Sequence, residues 1–303
     1  MKKKDFLPYT LLFIQPIFMA SNLVVARGGV EFVPPISLAF WRWLSVFLLL
    51  MLFNYRILYK KKILFKEYKE LFFLGLMGCG VCGAFPFMAG QTTTIINMGI
   101  IYTSSPIFII LISFFFFKEK MNFFKFIGLL SCLLGVLIII VRGEYSTLIS
   151  LKFTKGDLWM LGASIGWALY SIFLFNWKSS LNVFERFTAI SFFGALSLLP
   201  FYIFEQNFIN VTTFDLKFFF WVIFAAISPG IIAFILYTYT QKYLGATTTG
   251  FTLYLFTVYG AFYGILFFGE TLELFHLYGT FLVFLGVYPV SYTHLTLPTS
   301  SWV

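Results

Sequence analysis

Arg42 stands between two tryptophans in the stretch "LAFWRW", six residues after Ile36 and so about 9 Å along an apolar helix at 1.5 Å per residue. A charge at membrane depth costs about 2.5 to 3.5 kcal/mol on the insertion scale, which leaves two readings. The guanidinium faces a cavity and holds an anion such as a carboxylate, or it snorkels to the outer interface beside two belt tryptophans. No Asp or Glu falls in the middle of an apolar run. Proton coupling would therefore fall to carboxylates nearer the run ends, Glu31, Glu119 or Glu270, and facilitated diffusion or exchange stays open.

Uncharged groups are more numerous. Asn22, Trp167 and Tyr170, with Gln91, Tyr102 and Tyr254, are the amide and aromatic groups that could build an apolar pocket with a few orienting polar atoms, the usual makeup of a small-molecule site. In a chain that is 22% aromatic, chance placement is the rival explanation. Thr248, Thr252, Tyr259 and Tyr263 recur by four, seven and four residues, a stripe that suits either a wetted cavity or hydrogen bonds between helices. Cys79 and Cys82 spell C-x-x-C inside an apolar run with no second pair, which favours packing over metal or redox work. His276 and His294 are isolated, and no metalloprotease, phosphate-loop or serine-elbow motif is present, so no cofactor or metal is expected.

These groups need elements to carry them. The chain has 303 residues, 60% hydrophobic and 11% charged, against roughly 25% charged in a soluble domain. A bilayer accepts helices of about 20 apolar residues where a soluble core could not hide so much apolar surface. Ten apolar segments can be marked, roughly 7–26, 36–58, 71–90, 95–117, 123–141, 158–177, 187–204, 218–239, 246–268 and 274–288. The basic then apolar N-terminus has no clean cleavage site and reads as a retained first span. With the N-terminus inside, Lys2, Lys3, Lys4, Arg56, Lys60, Lys61, Lys62, Lys66, Lys69, Lys118, Lys120, Lys125, Lys178, Arg186 and Lys242 lie inside. That is 15 of 21 basic residues, so both termini are expected in the cytoplasm and the net charge of +9 reflects topology rather than nucleic acid.

The chain also repeats itself. Phe116, Phe117 and Glu119 of "FFFFKEK" fall in register with Phe267, Phe268 and Glu270 of "LFFGETL", and Gly128 and Gly135 then meet Gly279 and Gly286 without a gap. A duplicated unit of five spans must enter the membrane from opposite sides, giving two inverted repeats, a recurring build of secondary transporters with the substrate site near the midplane. Pro86, Pro106 and Pro229, with glycines nearby, interrupt spans and offer hinges or packing kinks. Gly162 with Gly166, and Gly260 with Gly264, have the small-xxx-small spacing of close helix packing.

The patterns "PIFMASNLVVAR", "LAFWRW", "SPIFIILISFFFFKEKMNFFKFIGLLSCLLGVLIII", "GDLWMLGASIGWALYSIF" and "GETLELFHLYGTFLVFLGV" resemble the two EamA domains of the drug/metabolite transporter superfamily. The resemblance implies an all-α integral membrane protein of ten helices, with an EamA-like repeat at 1–143, a linker at 144–156, a second repeat at 157–290 and a tail at 291–303 that does not match the preceding text. It further implies a bacterial plasma-membrane carrier, commonly an exporter of amino acids or other small metabolites. Its partners would be a small-molecule substrate and the lipid bilayer, the oligomeric state being open and a monomer allowed. Glu119 and Glu270 are read chiefly as turns that cap or tether a neighbouring helix. Lys118 where the second repeat has Gly269, and Pro289 interrupting the last span, depart from the pattern. The rival classes are an intramembrane lipid-modifying enzyme, for which no nucleophile with a base is visible, and a non-transporting scaffold, which gains nothing from the duplication.

Overall fold

The computed structural model describes residues 6–117, 123–140, 154–250 and 252–295, and leaves undescribed some side chains within them, among them those of 244–250 and 286–295. Every regular element among these residues is helical. α1 covers Phe6–Gly28 and α2 Pro35–Asn54, the latter opened by Pro35 at its first position, where a missing N–H costs nothing. α3, Tyr68–Gly90, contains a π turn at Gly75–Val81. α4 (Ile95–Tyr102) and α5 (Ser105–Phe117) follow, then α6 (Phe123–Ile140). α7 is Lys155–Asn176 and α8 Val183–Phe208, whose Asn182 and Glu185 form a capping box. α9 (Leu216–Ala226) passes through a second π turn, Ile227–Ile232, into α10 (Ala233–Gly250). α11 is Thr252–Phe268 and α12 Leu274–Leu295.

Seven stretches among the described residues are long and apolar enough to cross a membrane: Thr10–Glu31, Pro35–Lys66, Tyr68–Gly90, Ile95–Phe116, Lys155–Asn176, Val183–Phe208 and Leu216–Thr240. α6, α11 and α12 stand where the fifth, ninth and tenth spans were expected. Two expectations about proline need correction. α12 carries through Pro289 to Leu295, because a proline late in a long helix removes one hydrogen bond without having to end it. The irregularity in α3 lies at Gly75–Val81 rather than at Pro86, which sits within the regular stretch Cys82–Gly90. It coincides with a close backbone approach: a Cβ on Gly75 would come within 2.6 Å of the Gly194 nitrogen in α8.

The packing follows the register of the repeat. Ser131 donates to the carbonyl of Leu282, its counterpart 151 residues on, at 2.9 Å, while Gly279 lies against Gly135 and Ile139. α6 and α12 therefore cross antiparallel. α2 and α8 do the same, with Glu205 of α8 on Ser37 at 2.7 Å and Asn54 of α2 on Thr188 at 3.4 Å. α4 and α11 are likewise antiparallel, since Ile95 meets Gly264 while Thr103 meets Thr257. The cross-pairs are also reciprocal: α1 packs on α10 and α11, as α7 packs on α3, α4 and α5.

Candidate substrate site and its closures

Where the two halves meet, a cavity of about 30 Å³ is walled by Asn22 of α1, Arg42 and Trp43 of α2, Gly78, Cys82 and Pro86 of α3, Tyr102 of α4 and Trp167 of α7. Pro229 of the second π turn, Phe234 of α10 and Phe256 of α11 complete it with Met19, Leu23 and Met160. Gly78 and Pro229 are repeat counterparts, so each π turn presents one residue to the same hollow. A volume of that size holds a water or two, against roughly 300 Å³ or more for a ligand pocket, so this is a closed form of the site.

Arg42 does not snorkel. Its side chain is 2% exposed, and Nη1 donates to Asn22 Oδ1 at 2.6 Å and Nη2 to the carbonyl of Pro229 at 3.1 Å. The guanidinium lies 4.6 Å from the Trp43 ring centre and 5.7 Å from that of Phe87. Hydrogen bonds to a charged group contribute about 1.5 to 3 kcal/mol each, and a desolvated cation over an aromatic face about 2. Together these offset the burial cost without a counter-ion, and none is in reach: the one ion pair among the described residues is Lys60 with Glu185, 2.7 Å apart at one end of the bundle. Nε keeps a buried, unpartnered N–H.

The other expected residues are placed unequally. Tyr102 and Trp167 line the cavity, their rings 6.1 Å apart. Tyr170 stands one layer away, 5.5 Å from Trp167, and its ring covers Gly78 so closely that a Cβ there would fall 2.5 Å from it. Gly78→Ala should therefore cost about 1 to 3 kcal/mol through displacement of that ring, read as a lowered thermal midpoint in detergent, and should cost less when made in a Tyr170→Ala background. Gln91 is a correction: it caps the end of α3, exposed and away from the hollow, because the helix places it beyond the last buried turn. Tyr254 lies on α11, but its side chain falls outside the described residues, as do those of Thr248 and Thr252; Glu119 lies outside them altogether. Pro86 and Pro229 border the cavity, and Pro106 opens α5 after the break at Thr103 and Ser104. Tyr263 bonds the Ile17 carbonyl at 3.2 Å, so this member of the stripe ties helices. Cys82 faces the cavity with its thiol on the Ala163 carbonyl.

Carboxylates, two of them buried and Glu270 half-buried, close one end of the bundle. Gly269, at φ +62°, ends α11 in a left-handed turn that suits glycine. That turn brings Glu270 back onto the N-terminus of α4, where its oxygens accept from Ile95 N–H at 2.7 Å and Ile96 N–H at 3.0 Å. Gly264 leaves the space, since a Cβ there would lie 2.6 Å from the carboxylate. Glu205, which the sequence reading passed over, does the same for α2, accepting from Ile36 N–H at 3.1 Å and from Ser37 N–H and Oγ at 2.7 Å each. It is the repeat counterpart of Asn54, a different residue type, so neither its own stretch nor the repeat marks it in the sequence. Asp157 accepts from Thr93 and Thr154, and His276 Nε2 meets Asn97 Oδ1 at 2.9 Å while Nδ1 accepts from Glu273 N–H, so this histidine is not isolated in the fold.

The opposite end is held by the half-exposed Lys60 on the buried Glu185 and by Glu67 on Ser179 and Ser180. There a recess of about 470 Å³, walled by Tyr170, Leu174, Ser179, Arg186, Phe187 and Thr238, reaches inward as far as the Tyr170 ring.

The model of the EamA-like transporter family matches residues 7–141 and again 154–292. The chain belongs to the EamA-like transporter family. Among its EamA-like relatives, the protein named "Uncharacterized transporter YyaM" of Bacillus subtilis (strain 168) is 24% identical over 244 residues, 80% of this chain and 79% of that one. An "Uncharacterized transporter" of Archaeoglobus fulgidus is 27% identical over 262 residues, 85% and 89% of the two chains. A solved crystal structure shares the fold at TM-score 0.57 and 17% identity, over 94% of this EamA-like chain and 96% of the other. The chain is thus a multi-pass membrane protein of a transporter family, as the resemblance to the drug/metabolite transporter superfamily implied.

Proposed function

We propose that this protein is a secondary transporter of ten spans in two inverted five-helix repeats, moving small amphipathic or zwitterionic metabolites, amino acids among them, by alternating access. The observation that carries the reading is the closed cavity shared by both halves, bordered by a buried cation and by one residue from each of two register-matched π turns. π turns leave backbone groups free and mark functional segments of helices. The antiparallel crossing of counterpart helices supports the inverted arrangement, in which exchange of conformation between the halves moves the opening from one face to the other.

We read the direction as export. With the basic loops and both termini cytoplasmic, in a bacterial plasma membrane, the recess behind Tyr170 is the cytoplasmic vestibule and the carboxylate-capped end faces outward. A carrier whose recess opens to the cytoplasm loads from that side, which supports export as the direction. Around the cavity, the described residues pair no nucleophile with a base, which disfavours a lipid-modifying enzyme.

The test is comparative metabolite profiling of medium and cytosol from cells with and without the protein, followed by flux of the compound found into liposomes holding purified protein. A compound that accumulates outside only in expressing cells and crosses liposomes saturably is the expected result. Absence of flux across a broad metabolite panel would overturn the reading.

A further inference from the structure

We infer that the central cavity selects a single carboxylate on an apolar aliphatic or aromatic body, and that it makes no specific contact with an ammonium group. The inference rests on the transport reading for its cellular meaning, but not for its test.

Three of the buried polar atoms without a partner belong to residues that wall this one cavity: Arg42 Nε, Trp43 Nε1 and Trp167 Nε1, all of them donors. The Trp43 nitrogen is turned onto Gly83 of α3, so the donors left for an occupant are Arg42 Nε and Trp167 Nε1, on side chains only 2% exposed. An unpaired buried donor costs about 1 to 3 kcal/mol, so an occupant that supplies acceptor oxygens is favoured over one that supplies more N–H. No Asp or Glu borders the hollow, and Asn22 Oδ1 and the Pro229 carbonyl each already receive from the Arg42 guanidinium, whose positive charge opposes a second cation at the same oxygens. An ammonium group would enter beside a guanidinium with nothing to pair it.

The charge count narrows the anion. Arg42 is the single charged residue on the wall, so it balances one negative charge. A phosphate monoester, at about −1.5 to −2 near neutral pH, would leave an excess buried in low dielectric, where uncompensated charge is expensive. A carboxylate balances it, and the planar fork of a guanidinium matches its two oxygens. The remaining wall, with Met19, Leu23, Phe234 and Phe256, offers apolar and ring surface for the rest of the molecule.

The experiment uses purified full-length protein in nanodiscs and two matched probe sets. The first is 4-methylpentanoate, leucine, 3-methylbutylamine, 3-methylbutanol and 3-methylbutyl phosphate; the second is the phenyl equivalents. Affinity is read by thermal-midpoint titration, and flux of the same probes is read in liposomes. The carboxylate-only probe of at least one set should bind ten times or more tighter than its amine, alcohol and phosphate partners, and no worse than the amino acid. Arg42→Gln should erase the margin between carboxylate and alcohol, with Arg42→Lys keeping part of it. Equal binding of amine or alcohol, a tenfold preference for the amino acid or phosphate, binding of no carboxylate in either set, or an unchanged margin in Arg42→Gln would each overturn the inference. If Arg42→Gln fails to fold, the wild-type series still decides. Carboxylate binding without flux would uphold the site and overturn transport; saturable flux of the amine or alcohol alone would do the reverse.

Discussion

Placing a methyl group at Gly90, in Gly90→Ala, should abolish the folded protein. α1 and α3 approach there backbone to backbone, and a Cβ on Gly90 would overlap the carbonyl of Ala26 and crowd the nitrogen of Arg27 at 3.2 Å. No side chain is available to rotate away. Arg27 Nη1 also donates to the Gly90 carbonyl at 2.8 Å, so separating the helices breaks a second tie. Whole domains are stable by about 5 to 15 kcal/mol, and a backbone overlap in a close-packed interior ranks with substitutions costing more than about 4. The measurement is the yield of monodisperse protein in detergent together with its thermal midpoint. Gly99→Ala is the control, since its Cβ would meet Thr257 Cα at an ordinary 3.6 Å, and alanine improves a helix by up to about 1 kcal/mol. A Gly90→Ala protein that purifies and melts like Gly99→Ala would show that this approach holds nothing together.

Glu205→Ala should cost about 3 to 5 kcal/mol, the second largest effect. Three donors would lose one carboxylate at once: two N–H groups of the first turn of α2, which no intrahelical carbonyl can serve, and the Ser37 hydroxyl. Glu205 is 2% exposed, so water does not replace it cheaply. Its counterpart makes the comparison: Asn54→Ala gives up a single amide to hydroxyl contact of 3.4 Å and should cost less than about 1 kcal/mol. Thermal melts of the two variants under one condition decide it. Comparable losses would mean that the end holding Glu205 is no more firmly tied than the opposite one.

What the sequence made legible was what stands out against apolar text. Arg42 was visible because a lone charge in a span needs a reason, and Glu270 because it recurs in register with Glu119. What it hid depends on distant partners. Glu205 ends a span in "FEQNF" and looks like ordinary loop polarity until α2, 168 residues away, is folded against it. Thr103 and Thr257 meet across counterpart helices, and neither is remarkable in its own stretch. Gln91 misled because a span edge is uncertain by a residue or two, enough to move a side chain from a cavity to a helix end. The break in α3 was expected at Pro86 with glycines nearby; it falls on those glycines, at Gly75–Val81, where the backbone of α8 comes close at Gly194.

The duplication has one unequal position of note. The counterpart of Arg42 is Phe193, a half-buried ring 6.2 Å from Phe72. Positive charge at this station therefore belongs to the first half alone. In the proposed carrier, a passenger held by the guanidinium would keep its polar head on that one wall while its greasy tail changed neighbours, and its release would wait on water reaching Arg42.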